Sequence, residues 1–230
     1  MMDHKLRDTL AHVAPFAAWI ALIYLPGSPS GWTYAARALV GLALFLGLRP
    51  WGGYAPLRVR NLPLAAGVGV AVFAVWILPE TKWAAQWPAL REFYLKYAVL
   101  PWGRLPEVVS PPPYAPETCG WPLTVVRLLG SAVIISFIEE FFWRGFIYRW
   151  ITARDFRSVD LGVYVRNAFF ITALLFGLEH DRWLVGILAG LAYGALAIRT
   201  RDLWAAGIAH AITNFLLGLY VVATGQYGFW

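Results

Sequence analysis

Two adjacent carboxylates, Glu139 and Glu140, stand one turn ahead of Arg144 in a stretch apolar enough to cross a bilayer. A charged group at mid-bilayer costs about 2.5–3.5 kcal/mol on insertion scales, so such groups pair with one another or line a polar cavity. Glu140 and Arg144 are i and i+4 with the acid first, the favourable order for an ion pair on a helix. The helical period turns Glu139 about 100° away from Glu140. The spacing therefore assigns Glu140–Arg144 as an internal ion pair and leaves Glu139 to face a site.

Two further polar pairs recur in later apolar segments. Phe176 and His180 share one helical face, and so do His210 and Asn214, where the amide can hold the imidazole in one tautomer. A lone intramembrane histidine is as well explained by a helix–helix hydrogen bond. Three separate clusters argue for a site. A carboxylate and an imidazole can together hold a water and take its proton. A second imidazole and an amide NH2 can donate to a developing oxyanion. Alternatively, Glu139, His180 and His210 can be three ligands of a zinc ion with an open fourth position. Both routes hydrolyse an amide. Neither histidine has a serine beside it in a nucleophile motif, and the single cysteine, Cys119, falls in a loop, so water is the expected nucleophile.

Charge decides between the two routes. Zinc would consume Glu139 as a ligand and leave Glu140, already neutralised by Arg144, as the only base. Glu179 precedes His180 and on a straight helix points about 100° away from it. The expectation is a metal-free glutamate mechanism, with zinc on Glu139, His180 and His210 as the alternative.

These residues need membrane helices to position them. The chain is 60% hydrophobic and only 14% charged, too apolar for a soluble domain of 230 residues. Spans are expected at about Ala11–Leu25, Thr33–Leu48, Leu62–Leu78, Pro122–Tyr148, Asn167–His180, Trp183–Ile198 and Leu203–Ala223. Within the long polar connection 80–121, Ala89–Leu100 mixes charges with aromatics and reads as an interfacial helix. Gly186, Gly190 and Gly194 make a small-xxx-small face that predicts tight packing of the sixth helix. The fold class is all-α: a polytopic membrane bundle of about seven transmembrane helices plus the interfacial helix. It is read as one integral membrane domain over 1–230, with its motif-bearing core at about 122–220. The net charge of +6 does not point to nucleic acid, because the basic residues cluster between spans. Lys5, Arg7, Arg49, Arg58, Arg60, Arg149, Arg154, Arg157, Arg166, Arg199 and Arg201 fall on one side. Their distribution expects the N-terminus in the cytoplasm and the chain in the cell (inner) membrane.

Glu139-Glu140-x-x-x-Arg144-Gly145, Phe176-x-x-x-His180 and His210-x-x-x-Asn214 resemble, in order, the three motifs of the CPBP intramembrane proteases. That family includes type II CAAX prenyl proteases and bacteriocin-processing or immunity proteins. The resemblance covers about residues 122–220 and implies a bacterial intramembrane endopeptidase acting on a membrane-associated peptide or protein. It implies that Glu139 and His180 activate water, that His210 and Asn214 support the oxyanion, and that Glu140, Arg144 and Phe176 are structural. It leaves zinc open. Two departures stand out: an acid, Glu179, where the family has an apolar residue, and straight helices that would place His180 and His210 near opposite ends of their spans. The competing readings are a non-catalytic binding or immunity protein of the same fold and a small proton-coupled transporter.

Overall fold

A computed structural model describes residues 4–24, 29–107 and 109–230, and every regular element among them is helical. In chain order the principal helices are α1 (His4–Ala21), α2 (Gly31–Leu48), α3 (Leu62–Ile77), α4 (Pro88–Tyr97), α5 (Trp121–Thr152), α6 (Arg166–Leu178), α7 (Trp183–Thr200) and α8 (Leu203–Thr224). The chain is an all-α helical membrane bundle.

The helix count agrees with the sequence expectation, but the number of full-length spans does not. Among the described residues, five helices are long and apolar enough to cross a membrane: α2, α3, α5, α7 and α8. The first and fifth expected spans fall short for different reasons. α1 has 18 residues, but Lys5, Arg7, Asp8 and His12 occupy its first half. The end expected for it, Leu25, lies outside the described residues. α6 has only 13 residues, about 20 Å at 1.5 Å per residue, against about 30 Å of hydrocarbon. That shortness brings the end of α6, and His180 just beyond it, to the interior of the bundle.

The 78–107 connection folds back over this recess. Arg182 forms a bidentate pair with Glu80, Leu100 N donates to Asp181 O at 2.7 Å, and Trp183 Nε1 donates to Tyr97 O at 3.0 Å. α4, expected at 89–100, carries Leu90, Phe93 and Tyr97 outward, as an interfacial helix should.

α5 is not a uniform helix. Gly130–Ile135 and Phe141–Ile147 are π-helical, and they bracket the α-helical turn Ser136–Glu140. A π register withdraws carbonyls from the i→i−4 ladder, so side chains must satisfy them. Ser131 O accepts from Ser136 Oγ at 3.0 Å and from Asn214 Nδ2 at 3.0 Å. Gly145 O accepts from Tyr54 Oη at 3.1 Å and from Arg149 Nη1 at 3.3 Å. The start of α8 is fixed by Asp202, which caps Trp204 N and Ala205 N and also accepts from Asn61 Nδ2 at 2.8 Å.

The glycine face on α7 packs against α6. A Cβ on Gly186 would lie 3.0 Å from Gly177 Cα, and one on Gly190 would lie 3.0 Å from Ala173 Cα. At Gly177 itself a Cβ would come within 2.6 Å of the Ile187 backbone nitrogen, which cannot move aside without shifting α7. Gly177→Ala is therefore expected to destabilise the protein by about 1–3 kcal/mol in detergent unfolding. Gly47→Ala, where nothing lies within 4 Å, should be neutral or gain up to about 1 kcal/mol.

Candidate active site

The site is built outward from the Glu140–Arg144 pair. Arg144 Nη1 donates to Glu140 Oε1 at 2.8 Å, and both side chains are almost wholly removed from solvent. Nη2 donates to Gly190 O at 2.8 Å and the group lies 4.4 Å from the centre of the Phe176 ring, while Nε is buried without an acceptor. Gly190 O is reachable because the small face of α7 lets the two backbones come close. Phe176, fully buried on α6, is thus the aromatic floor beneath Arg144.

Glu140 also fixes His210. Their separation is 3.1 Å, from His210 Nδ1 to the same Oε1 that Arg144 holds. Glu140 is charged by its pairing with Arg144, so Nδ1 carries the hydrogen and donates it. Nε2 is left with its lone pair. That nitrogen faces Glu139 Oε2 at 3.8 Å, too far for a direct hydrogen bond. Glu139 Oε2 is buried and has no hydrogen-bond partner in the structure. The Tyr193 ring stacks on the His210 imidazole at 4.8 Å, and its hydroxyl runs through Thr213 to Gly69 O, which locks the ring plane.

His180 approaches from the end of α6. Its Nδ1 donates to Phe176 O at 2.8 Å, so its Nε2 is also a free acceptor. Trp76 meets it edge-on at 5.4 Å, and Phe176 separates it from His210, with ring centres 4.8 Å and 5.8 Å away. The Phe176 ring, in contact with both imidazoles, links His180 to the group formed by Glu139, Glu140 and His210.

Two placements differ from the sequence reading. Asn214 does not orient His210; Glu140 and Tyr193 do. Both hydrogens of the Asn214 amide go to Ser131 O and Ser136 Oγ, at 3.0 and 3.1 Å. Turning the amide over would set its oxygen against the Ser131 carbonyl, so the orientation is forced. Glu179 faces inward, where its Oε2 accepts from Trp143 Nε1 at 3.0 Å. The last turn of α6 tightens, with His180 N bonding to Gly177 O, so the 100° step of a straight helix does not apply. Ser131, Ser136, Trp143 and Tyr193 escaped sequence reasoning. Ser136 alone carried a signal, one turn ahead of Glu139.

The donor chemistry suits a metal, with two bare Nε2 atoms each backed by an acceptor on Nδ1. The placement does not. Among the described residues no three His, Cys, Asp or Glu side chains are arranged round a common point that could hold an ion. The inward turn of Glu179 also removes the charge argument against zinc, because a second acid stands beside Glu139.

Residues 121–216, which contain α5, α6, α7 and most of α8, match the family model described as type II CAAX prenyl endopeptidase Rce1-like. Comparison with curated proteins and with solved structures returns no match.

The two adjacent acids should part company when altered. Glu140→Gln leaves Arg144 an unpaired buried charge and should cost about 3–5 kcal/mol. Glu139→Gln removes an oxygen that has no partner and should leave the thermal midpoint in detergent close to that of the parent. Equal losses would mean that Glu139 belongs to the structural network.

Proposed function

On the premise that the chain belongs, through residues 121–216, to the type II CAAX prenyl endopeptidase family, we propose that it is an intramembrane endopeptidase with Glu139 as its water-activating base. One observation carries this reading. Glu139 Oε2 is a buried carboxylate oxygen without a partner, and it opposes Nε2 of His210 across 3.8 Å. Two acceptors at that spacing can each take one hydrogen of a single water, leaving the oxygen lone pairs directed at a substrate carbonyl.

In the proposed reaction the water oxygen bonds to the carbonyl carbon of a peptide bond and a water proton passes to Glu139. The C–N bond then breaks, and Glu139 returns the proton to the leaving amine. His210 shares the hold on the water, and Glu140 keeps its tautomer fixed through Nδ1. His180 presents a second acceptor at the rim. Oxyanion support from His210 and Asn214 requires that substrate draw the Asn214 amide off Ser136 and that His210 receive a proton at Nε2. The geometry favours His210 over His180 as the nearer partner of Glu139. A metal-free reaction is the reading that the donor arrangement supports. The substrate is a membrane-borne peptide or protein, and the distribution of Lys and Arg supports an N-terminus in the cytoplasm.

The test is cleavage by purified protein in lipid nanodiscs of a library of membrane-tethered peptides, read by mass spectrometry. Glu139→Gln should lower the rate by about 10²–10⁴-fold with the fold intact. Parent and Glu139→Gln profiles that coincide would overturn the reading. Activity that disappears on chelation together with stoichiometric zinc, and returns with it, would overturn the metal-free part alone.

A further inference from the structure

Away from the carboxylates, two arginines lie inside membrane helices with no acid beside them. Arg37 belongs to α2 and Arg127 to α5, and among the described residues neither forms a salt bridge with a carboxylate. Both guanidinium groups rest on one ring: Tyr34 lies 5.1 Å from Arg37 Cζ and 4.4 Å from Arg127 Cζ. Aromatic faces complete the surroundings, with Trp19 4.5 Å from Arg37 and Tyr114 5.1 Å from Arg127. Arg127 Nη2 donates to Trp230 O at 3.3 Å. The Nε atoms of both arginines are buried without an acceptor, and so is the Tyr34 hydroxyl.

Ring quadrupoles attract cations, but they do not neutralise them. Each such contact is a weak attraction. Two like charges near a single buried ring repel, and their cost in a membrane setting calls for an anion. We propose that Arg37 and Arg127, both packed against Tyr34, bind the phosphodiester of an anionic phospholipid at the end of the bundle where α2 and α5 begin.

The depth and the flanks fit that occupant. Trp32 and Trp121, both exposed, mark the interface at the first turns of α2 and α5. The arginines lie about 8–9 Å further in along the helix axes, within reach of a headgroup by an extended side chain. Beyond them Leu39 and Val40 of α2 and Leu129 and Val133 of α5 are exposed and apolar, a surface along which acyl chains can lie. A free anion would gain the charges but leave that surface unused.

Native mass spectrometry of the protein released from nanodiscs tests this. The parent should retain phosphatidylglycerol in preference to phosphatidylcholine, and Arg37→Gln and Arg127→Gln should each weaken that retention about fivefold. Equal retention of the two lipids by the parent would overturn the proposal, and that comparison needs no variant to fold. Displacement of the lipid by millimolar inorganic phosphate, or by a peptide ending in a free carboxylate, would also overturn it, showing that the site serves a free anion or a chain terminus. The assignment stands apart from the proposed protease reaction, so the loss of either leaves the other intact.

Discussion

A positive charge buried at Arg144 must be answered from every direction, and the answers draw the core together. Glu140 answers along the helix, Gly190 O across from α7, and the Phe176 ring from α6. Because Glu140 still has capacity to accept, it takes the His210 Nδ1 hydrogen from α8 as well. Four helices thus meet at one ion pair. A buried pair of this kind is weak evidence for stability, since its desolvation cost rivals its attraction. Its value here is geometric: it sets which nitrogen of His210 is bare and where that nitrogen points.

The π segments of α5 do complementary work. They flank the turn that carries Glu139 and Glu140, and the carbonyls they release are taken by Asn214 and Ser136 at one end and by Tyr54 and Arg149 at the other. The acidic turn is thereby pinned both to α8 and to the chain between α2 and α3. Glu139 and Glu140 each keep one buried oxygen, Oε2, without a hydrogen-bond partner.

How much of this could be read from the sequence depended on how local the signal was. The Glu140–Arg144 contact follows from i, i+4 spacing, and the glycine face of α7 follows from its period. Helix positions followed from hydropathy, though α6 ends before a full span because the polar run Glu179-His180-Asp181-Arg182 stops it. The π register was illegible, since an apolar run does not distinguish i→i+4 from i→i+5 bonding. That register carried the role of Asn214 with it. The direction of Glu179 was missed because a tightened terminal turn breaks the angular rule used for helix interiors. Arg37 and Arg127 vanished into spans whose average hydropathy is high, although their aromatic surroundings are assembled from residues distant in sequence.

The brevity of α6 also shapes the bilayer. Phe170, Ile171, Leu174, Leu175 and Leu178 face outward, so lipid must wet a helix only about 20 Å tall beside neighbours that span fully. Acyl chains there have to shorten or tilt, and the leaflet sags toward α6 to avoid exposing apolar side chains to water. A dimple of that kind thins the hydrocarbon beside His180, and host membranes of different thickness would deepen or flatten it.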